Sequence, residues 1–216
     1  MENFFGHELM NICVEVSKKM NTNINHLSDN ESMFYINYAG GDDLVIMGPA
    51  SGILELSKVI NDRFSEYTLN KNITISGGIT IQSPSAPIRF GIKEAEEYLN
   101  QSKTLDGKNG ITLIHTSCKM NEYEQVLEQV NVFRKYITNQ DISRTNFYNM
   151  MKVLDVENME KYYRNIPILL YSLKRNVKNK EVRQDLISKI SMVNMNCDQL
   201  KKLVLEMKLA IMQTRG

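Results

Sequence analysis

The chain reads as an α+β domain followed by an all-α helical bundle, and three observations carry that reading. Apolar residues in the first half switch between helical spacing and strict alternation. A Gly-Gly-Asp-Asp turn at residues 40–43 joins two apolar, β-prone runs. Beyond about residue 118 the strand signals stop and only helical stripes continue. The expected domains are therefore residues 1–118 and 119–216.

The elements follow in order. Phe5, Leu9, Ile12, Val16 and Met20 recur at helical spacing over residues 2–20, and residues 21–31 are loop-like. Residues 33–39, MFYINYA, and 44–47, LVIM, flank the turn as a hairpin. Ile53, Leu56, Ile60 and Phe64 form the next helical stripe. Residues 73–82, ITISGGITIQ, alternate strictly and predict one long strand. Ser85 and Pro87 read as an N-cap and a first-turn proline for a helix reaching about Lys103. DGKNG is a turn and residues 111–116, ITLIHT, a further strand. The expected order, α-ββ-α-β-α-β, gives helices on one face of a single, mostly antiparallel sheet. Five helical stripes follow, the third beginning or kinking near Pro167.

Charge divides the same way. Residues 1–119 carry 10 Lys and Arg against 14 Asp and Glu, whereas residues 120–216 carry 16 against 11. A basic second half suits nucleic acid or an acidic partner. Cys13, Cys118 and Cys197 are odd in number and lack any CxxC, which argues for reduced thiols in a cytoplasm. No apolar run approaches the roughly 20 residues of a membrane span. His7, His26 and His115 show no metal-ligand spacing; His26 reads as loop surface and His115 as a strand end.

Asp42 and Asp43 hold the clearest chemistry. Adjacent carboxylates at a turn repel each other and make a hard-oxygen site for Mg²⁺ or Mn²⁺, ions that keep several waters and bridge to phosphate oxygens. Gly40 and Gly41 leave the backbone bare, so a nucleotide can lie against it. The competing reading is a hairpin turn with solvated acids. Ser76, Gly77 and Gly78 fall within the 73–82 strand, where glycines mark close approach of a ligand or of backbone; a bulge or tight helix packing explains them equally. Lys103 ends its helix, where it could reach triphosphate oxygens or simply favour the helix dipole.

YAGGDDLVIMGP, ITISGGITIQSPSAPIRFGIKEAEEYLNQSK and ITLIHT, in that order, resemble the ferredoxin-like palm of the large subunit of type III CRISPR effector complexes, the Cas-ten family. ISRTNFYNMMKVL and YYRNIPILLYSLKRN resemble the C-terminal helical domain of that subunit. The resemblance implies a cyclic oligoadenylate synthetase that joins ATP 3′ to 5′ when the complex has bound target RNA. It implies metal at Asp42 and Asp43, room for the nucleotide at Gly40 and Gly41, the sugar or base near Ser76 and Gly77, and the triphosphate near Lys103. The implied partners are the small helical subunit, the backbone subunits, guide RNA and target RNA, in a cytoplasmic antiviral complex. FGHEL and SKTLDGKNGITL resemble elements of diguanylate cyclases, which share the palm. Against that family, no phenylalanine follows the acid pair, no RxxD precedes Gly40, and the helical tail has no place there.

In both families a further metal-binding aspartate lies on a first palm strand, and residues 1–32 hold no such strand; Asp29 falls in a polar loop. No HD nuclease, first palm or zinc element is present in these residues. The expectation is a chain resembling the C-terminal part of such a subunit, whose site a missing palm portion or first palm completes. A third expectation is a non-catalytic scaffold whose Met and Leu stripes dock effector subunits.

Overall fold

The computed structural model describes residues 4–20, 31–70, 73–154, 159–191 and 196–214, in two compact units, Met1–Glu124 and Gln125–Gly216. The architecture is α+β with a helical second unit, as the sequence predicts. His26 and Asp29 lie outside the described residues.

The first unit opens with a π-turn, Phe4–Glu8, leading into α1, Leu9–Met20. α1 buries Leu9, Ile12, Cys13 and Val16 against α2, Ala50–Thr68, which turns Leu56, Ile60 and Phe64 toward it. The rings of Phe4 and Phe64 meet edge-on at 5.3 Å. Between these helices in sequence runs the hairpin of β1, Tyr35–Gly40, and β2, Asp43–Met47. Its register pairs Ile36 with Ile46, then Tyr38 with Val45, so Asn37 is an extra residue in β1. The bulge keeps Ile36 and Ala39 on the face that carries Leu44 and Ile46. Ile36, Leu44 and Ile46 pack on the α1–α2 core, leaving Tyr35 and Tyr38 on the exposed face.

Two glycines lock the base of this hairpin. A Cβ on Gly48 would lie 2.5 Å from the Phe34 ring, and one on Gly52 would lie 2.9 Å from it. The ring is buried against both bare positions, between the end of β2 and the first turn of α2. The buried Ser17 hydroxyl accepts the Met33 N–H at 3.0 Å and donates to the Cys13 carbonyl at 2.7 Å, tying the approach to β1 onto α1.

The remaining strands depart from the single expected sheet. β3, Gly77–Ile79, pairs parallel with β4, Gly110–Leu113, and β4 pairs antiparallel with β5, Thr116–Lys119. This sheet and the hairpin are two separately hydrogen-bonded sheets. The expected strand over 73–82 contracts to three residues, since its one partner among the described residues, β4, offers only Gly110–Leu113; α3, Ile88–Lys103, lies directly on its face. A Cβ on Gly78 would come 2.1 Å from the Ala95 carbonyl oxygen and 2.4 Å from the Leu99 nitrogen. The expected strand 111–116 is instead a hairpin turning at Ile114 and His115, both with positive φ, 48° and 60°. Ser85 does not cap α3; Pro87 occupies that position without a side-chain hydrogen bond.

α4, Met120–Thr138, begins in this unit, and its buried Tyr123 donates to the Leu54 carbonyl at 3.0 Å. The second unit holds the rest of α4 and α5, Arg144–Leu154; α6, Met159–Asn176; α7, Lys180–Ile190; and α8, Cys197–Gln213. Phe133 and Phe147 meet at 5.3 Å in its core, with Leu186, Ile190 and Met207 fully buried. α6 continues through Pro167, so that proline neither begins nor ends the helix. Asn179 caps α7, and Asn196 with Gln199 forms a capping box on α8.

Two expectations follow. Gly78→Ala forces α3 off the sheet and costs about 1–3 kcal/mol in chemical denaturation. Gly77→Ala, whose nearest neighbour would be Ile111 at 3.6 Å, stays near wild type. On α8, burial pushes the Glu206 carboxyl up to about 8 from its ordinary 4.5, outweighing the attraction of Lys202 and Lys189. A carboxyl raised on folding holds its proton in the native state, so stability is lost as pH rises through that interval. The melting temperature therefore falls between roughly pH 5 and pH 9, and Glu206→Gln flattens that fall.

Candidate functional site

The turn between β1 and β2 is made by Gly41 and Asp42, with Gly40 paired across to Asp43. Gly41 has φ +63°, a conformation glycine adopts freely, and nothing lies within 4 Å of where its Cβ would be. Both aspartates are exposed, Asp42 at the tip and Asp43 on the outer face beside Tyr38 and Val45. Gly40 differs from Gly41: its Cβ would meet the Tyr38 hydroxyl at 2.8 Å. The clearance expected over Gly40 is thus filled by a tyrosine ring that is itself 54% exposed and able to swing outward.

Ser76 and Gly77 sit at the end of the second sheet where α3 finishes at Lys103, and no hydrogen bond or ion pair joins Lys103 to either among the described residues. Ser76 Oγ accepts the Gly110 N–H at 3.5 Å. Gly77 pairs with Ile111. The Gly110 Cα is pressed beneath the Ser102 carbonyl, one residue before the exposed Lys103. Ile75 joins the core that also receives Ile36, Leu44 and Ile46. The hairpin and this corner therefore share a core, but no hydrogen bond joins Asp42 or Asp43 to Ser76, Gly77 or Lys103 among the described residues. Gly78 belongs to helix packing and not to a ligand site.

Among the described residues no group of three or more His, Cys, Asp and Glu could enclose a metal ion. Asp42 and Asp43 fit an ion that takes one or two carboxylates and completes its shell with waters and substrate phosphates. A polar cleft of about 180 Å³ between α2 and the start of α4 is lined by Lys58, Asn61, Asp62, Asn109, Tyr123 and Glu124. It is smaller than the roughly 300 Å³ at which small-molecule pockets begin.

Sequence reasoning missed a polar network at the other end of β3. The Thr80 hydroxyl and Gln82 Nε2 both donate to Glu94 Oε2, and the Tyr98 hydroxyl donates to Glu94 Oε1 at 3.0 Å. A ring nitrogen of His115 lies 3.2 Å from the same tyrosine oxygen. The Thr80 hydrogen bond is the main cause holding the Glu94 carboxyl below its ordinary value. Burial, then Glu94, pushes Tyr98 up to about 12. The Glu94–Tyr98 spacing was visible as a helical i, i+4 pair, but His115 joins only through the unsignalled turn.

A hairpin bearing two exposed acids, backed by α1 and α2 and followed by a helical unit, is the arrangement that the palm resemblance leads one to expect. The family model for Cas10/Cmr2, second palm domain, matches residues 1–112. The chain belongs to that family, as the palm region of a type III CRISPR large subunit. It is 35% identical over 76 residues to the CRISPR system single-strand-specific deoxyribonuclease Cas10/Csm1 (subtype III-A) of Mycobacterium tuberculosis, covering 35% of this chain and 9% of that protein. It is 37% identical over 70 residues to the Methanocaldococcus jannaschii protein of the same description, covering 32% of this chain and 9% of that protein. With the Streptococcus thermophilus counterpart it is 28% identical over 161 residues, 70% of this chain and 20% of that one. A match of that length reaches past residue 112 into the helical unit. The chain spans a fifth or less of the length of these relatives. No described helix is long and apolar enough to cross a membrane.

Tyr98→Phe removes the hydroxyl shared by Glu94 and His115 and costs about 1 kcal/mol, measured by urea denaturation, with the loss shrinking in acid once the pH falls below the ordinary carboxylate range and Glu94 takes up a proton.

Proposed function

We propose that this chain supplies the second palm and helical domain of a type III CRISPR large subunit, and that its hairpin serves synthesis of 3′–5′ linked cyclic oligoadenylates from ATP when the effector binds target RNA. The observation that carries this reading is the exposed Asp42–Asp43 pair at a turn whose Gly41 is open to a ligand. The family match favours it over the diguanylate-cyclase resemblance.

Each residue has a defined task. Asp42 and Asp43 hold Mg²⁺ or Mn²⁺, which when bound neutralises charge on the attacking and leaving oxygens. Gly41 lets phosphate approach the backbone, and Tyr38 swings off Gly40 to admit the nucleotide. Lys103 offers a cation to the triphosphate, and Ser76 a hydroxyl near the sugar. A 3′-hydroxyl of one ATP attacks the α-phosphorus of the next. The new phosphodiester bond forms as the bond to pyrophosphate breaks, and the hydroxyl proton passes to solvent. Two carboxylates form half a site, so another palm brings the remaining ligands, and the small helical subunit, backbone subunits and guide RNA complete the assembly.

The test resolves products by mass from effector complexes containing this chain, ATP, Mg²⁺ and target RNA. Asp42→Ala with Asp43→Ala is expected to abolish oligoadenylate, a loss of at least about 100-fold, without lowering the melting temperature. Oligoadenylate unaffected by the double substitution would overturn the reading and favour a scaffold. So would synthesis by the isolated chain at the rate of the complex.

A further inference from the structure

α6 presents an outer face that the cyclase reading leaves unused. At 100° per residue, Arg164, Ile168, Tyr171 and Arg175 fall within about 60° of one another, along roughly 16 Å of helix. The opposite side of α6 is buried through Tyr162, Leu169 and Leu173. Ile168 is 61% exposed and Tyr171 66% exposed, with both arginines exposed on either side. Tyr163 is also exposed, its ring braced edge-on by the buried Tyr162 at 5.3 Å.

The charge around this face is net basic. Residues 159–183 hold seven Lys and Arg against two acids, Glu181 and Glu160, the latter exposed one turn before Arg164 on the same side of the helix. A groove-docking helix shows apolar anchors at successive turns; here Arg164 and Arg175 flank the only two such residues on the stripe, Ile168 and Tyr171. Cations interleaved with exposed aromatic rings match a polyanion whose unstacked bases have faces to offer, which is the chemistry of a single nucleic-acid strand. A duplex would offer phosphates but no free base face for Tyr171 to stack on.

We infer that the outer face of α6 binds single-stranded RNA, with Arg164 and Arg175 on phosphates and Tyr171 stacked on a base. The choice of RNA rests on the reading of this chain as part of an RNA-guided effector. The stripe itself does not depend on nucleotide synthesis.

The experiment measures binding of the full chain to a fluorescent 12-nucleotide RNA of mixed sequence by anisotropy across a salt series. Arg164→Gln with Arg175→Gln is expected to weaken binding at least about tenfold and to flatten the log–log salt slope by about 1.4, two phosphate contacts at 0.7 each. Tyr171→Ala is expected to weaken binding several-fold without changing the slope. All three positions are exposed, so circular dichroism should be unchanged, and Lys152→Gln on α5 serves as the charge control. Binding unmoved by the substitutions, or moved equally by Lys152→Gln, would overturn the inference. A DNA strand of the same sequence bound as tightly as RNA would overturn the choice of RNA. Loss of small-subunit binding with RNA binding intact would make the face a protein dock. None of these readouts involves ATP, so failure here leaves the oligoadenylate reading standing, and its failure leaves this one.

Discussion

The hairpin that carries the two aspartates is held through a single contact geometry: the Phe34 ring laid against the bare Cα atoms of Gly48 and Gly52. A lone two-stranded hairpin is marginal in water, so this one takes its position from what it rests on. Phe34 fixes its base, and the Asn37 bulge sets which side chains face inward. With Ile36, Leu44 and Ile46 committed to the α1–α2 core, Asp43, Tyr38 and Tyr35 have only the outer face left. The exposure of the acid pair is thus a consequence of core packing several residues away.

The second sheet is organised by the same device in a different place. Gly78 lets the backbone of α3 rest directly on β3, and the Ser102 carbonyl near the end of the helix lies against Gly110, whose N–H meets Ser76. The two glycine contacts together divide the unit into a hairpin that offers carboxylates and a corner that offers a hydroxyl and a cation. Neither encloses a nucleotide. An open, two-part surface of this kind is what a palm presents when a second domain closes over it, and it makes association part of the proposed chemistry.

Much of this was legible in the sequence, because hydrophobic period and turn chemistry are local. The GGDD hairpin, the helices on either side of it and the change to a helical unit follow from spacing alone. Three features were not legible, each for a physical reason. The β4–β5 turn places Ile114 and His115 in a left-handed conformation that Asn-Gly would ordinarily announce, so one strand was expected where two exist. The strict alternation of residues 73–82 suits Ile75 and Ile79, but Ile73 is 42% exposed, and the pattern said nothing of how short the partner strand β4 is. Pro167 signals a helix break locally, yet α6 continues because its buried face, through Tyr162, Leu169 and Leu173, outweighs one lost hydrogen bond. The acid pair itself was readable, but the Tyr38 ring over Gly40 was not, since it depends on a rotamer and on no pattern.

The most direct test of the half-site is Mn²⁺ binding followed by electron paramagnetic resonance, first with the chain alone and then with the chain in its effector complex. Two carboxylates with no third acid beside them should bind the ion weakly in isolation and at least about tenfold more tightly once the remaining ligands arrive, with the gain lost in Asp42→Asn plus Asp43→Asn. Tight Mn²⁺ binding by the isolated chain, or a gain in the complex that survives the double substitution, would contradict it.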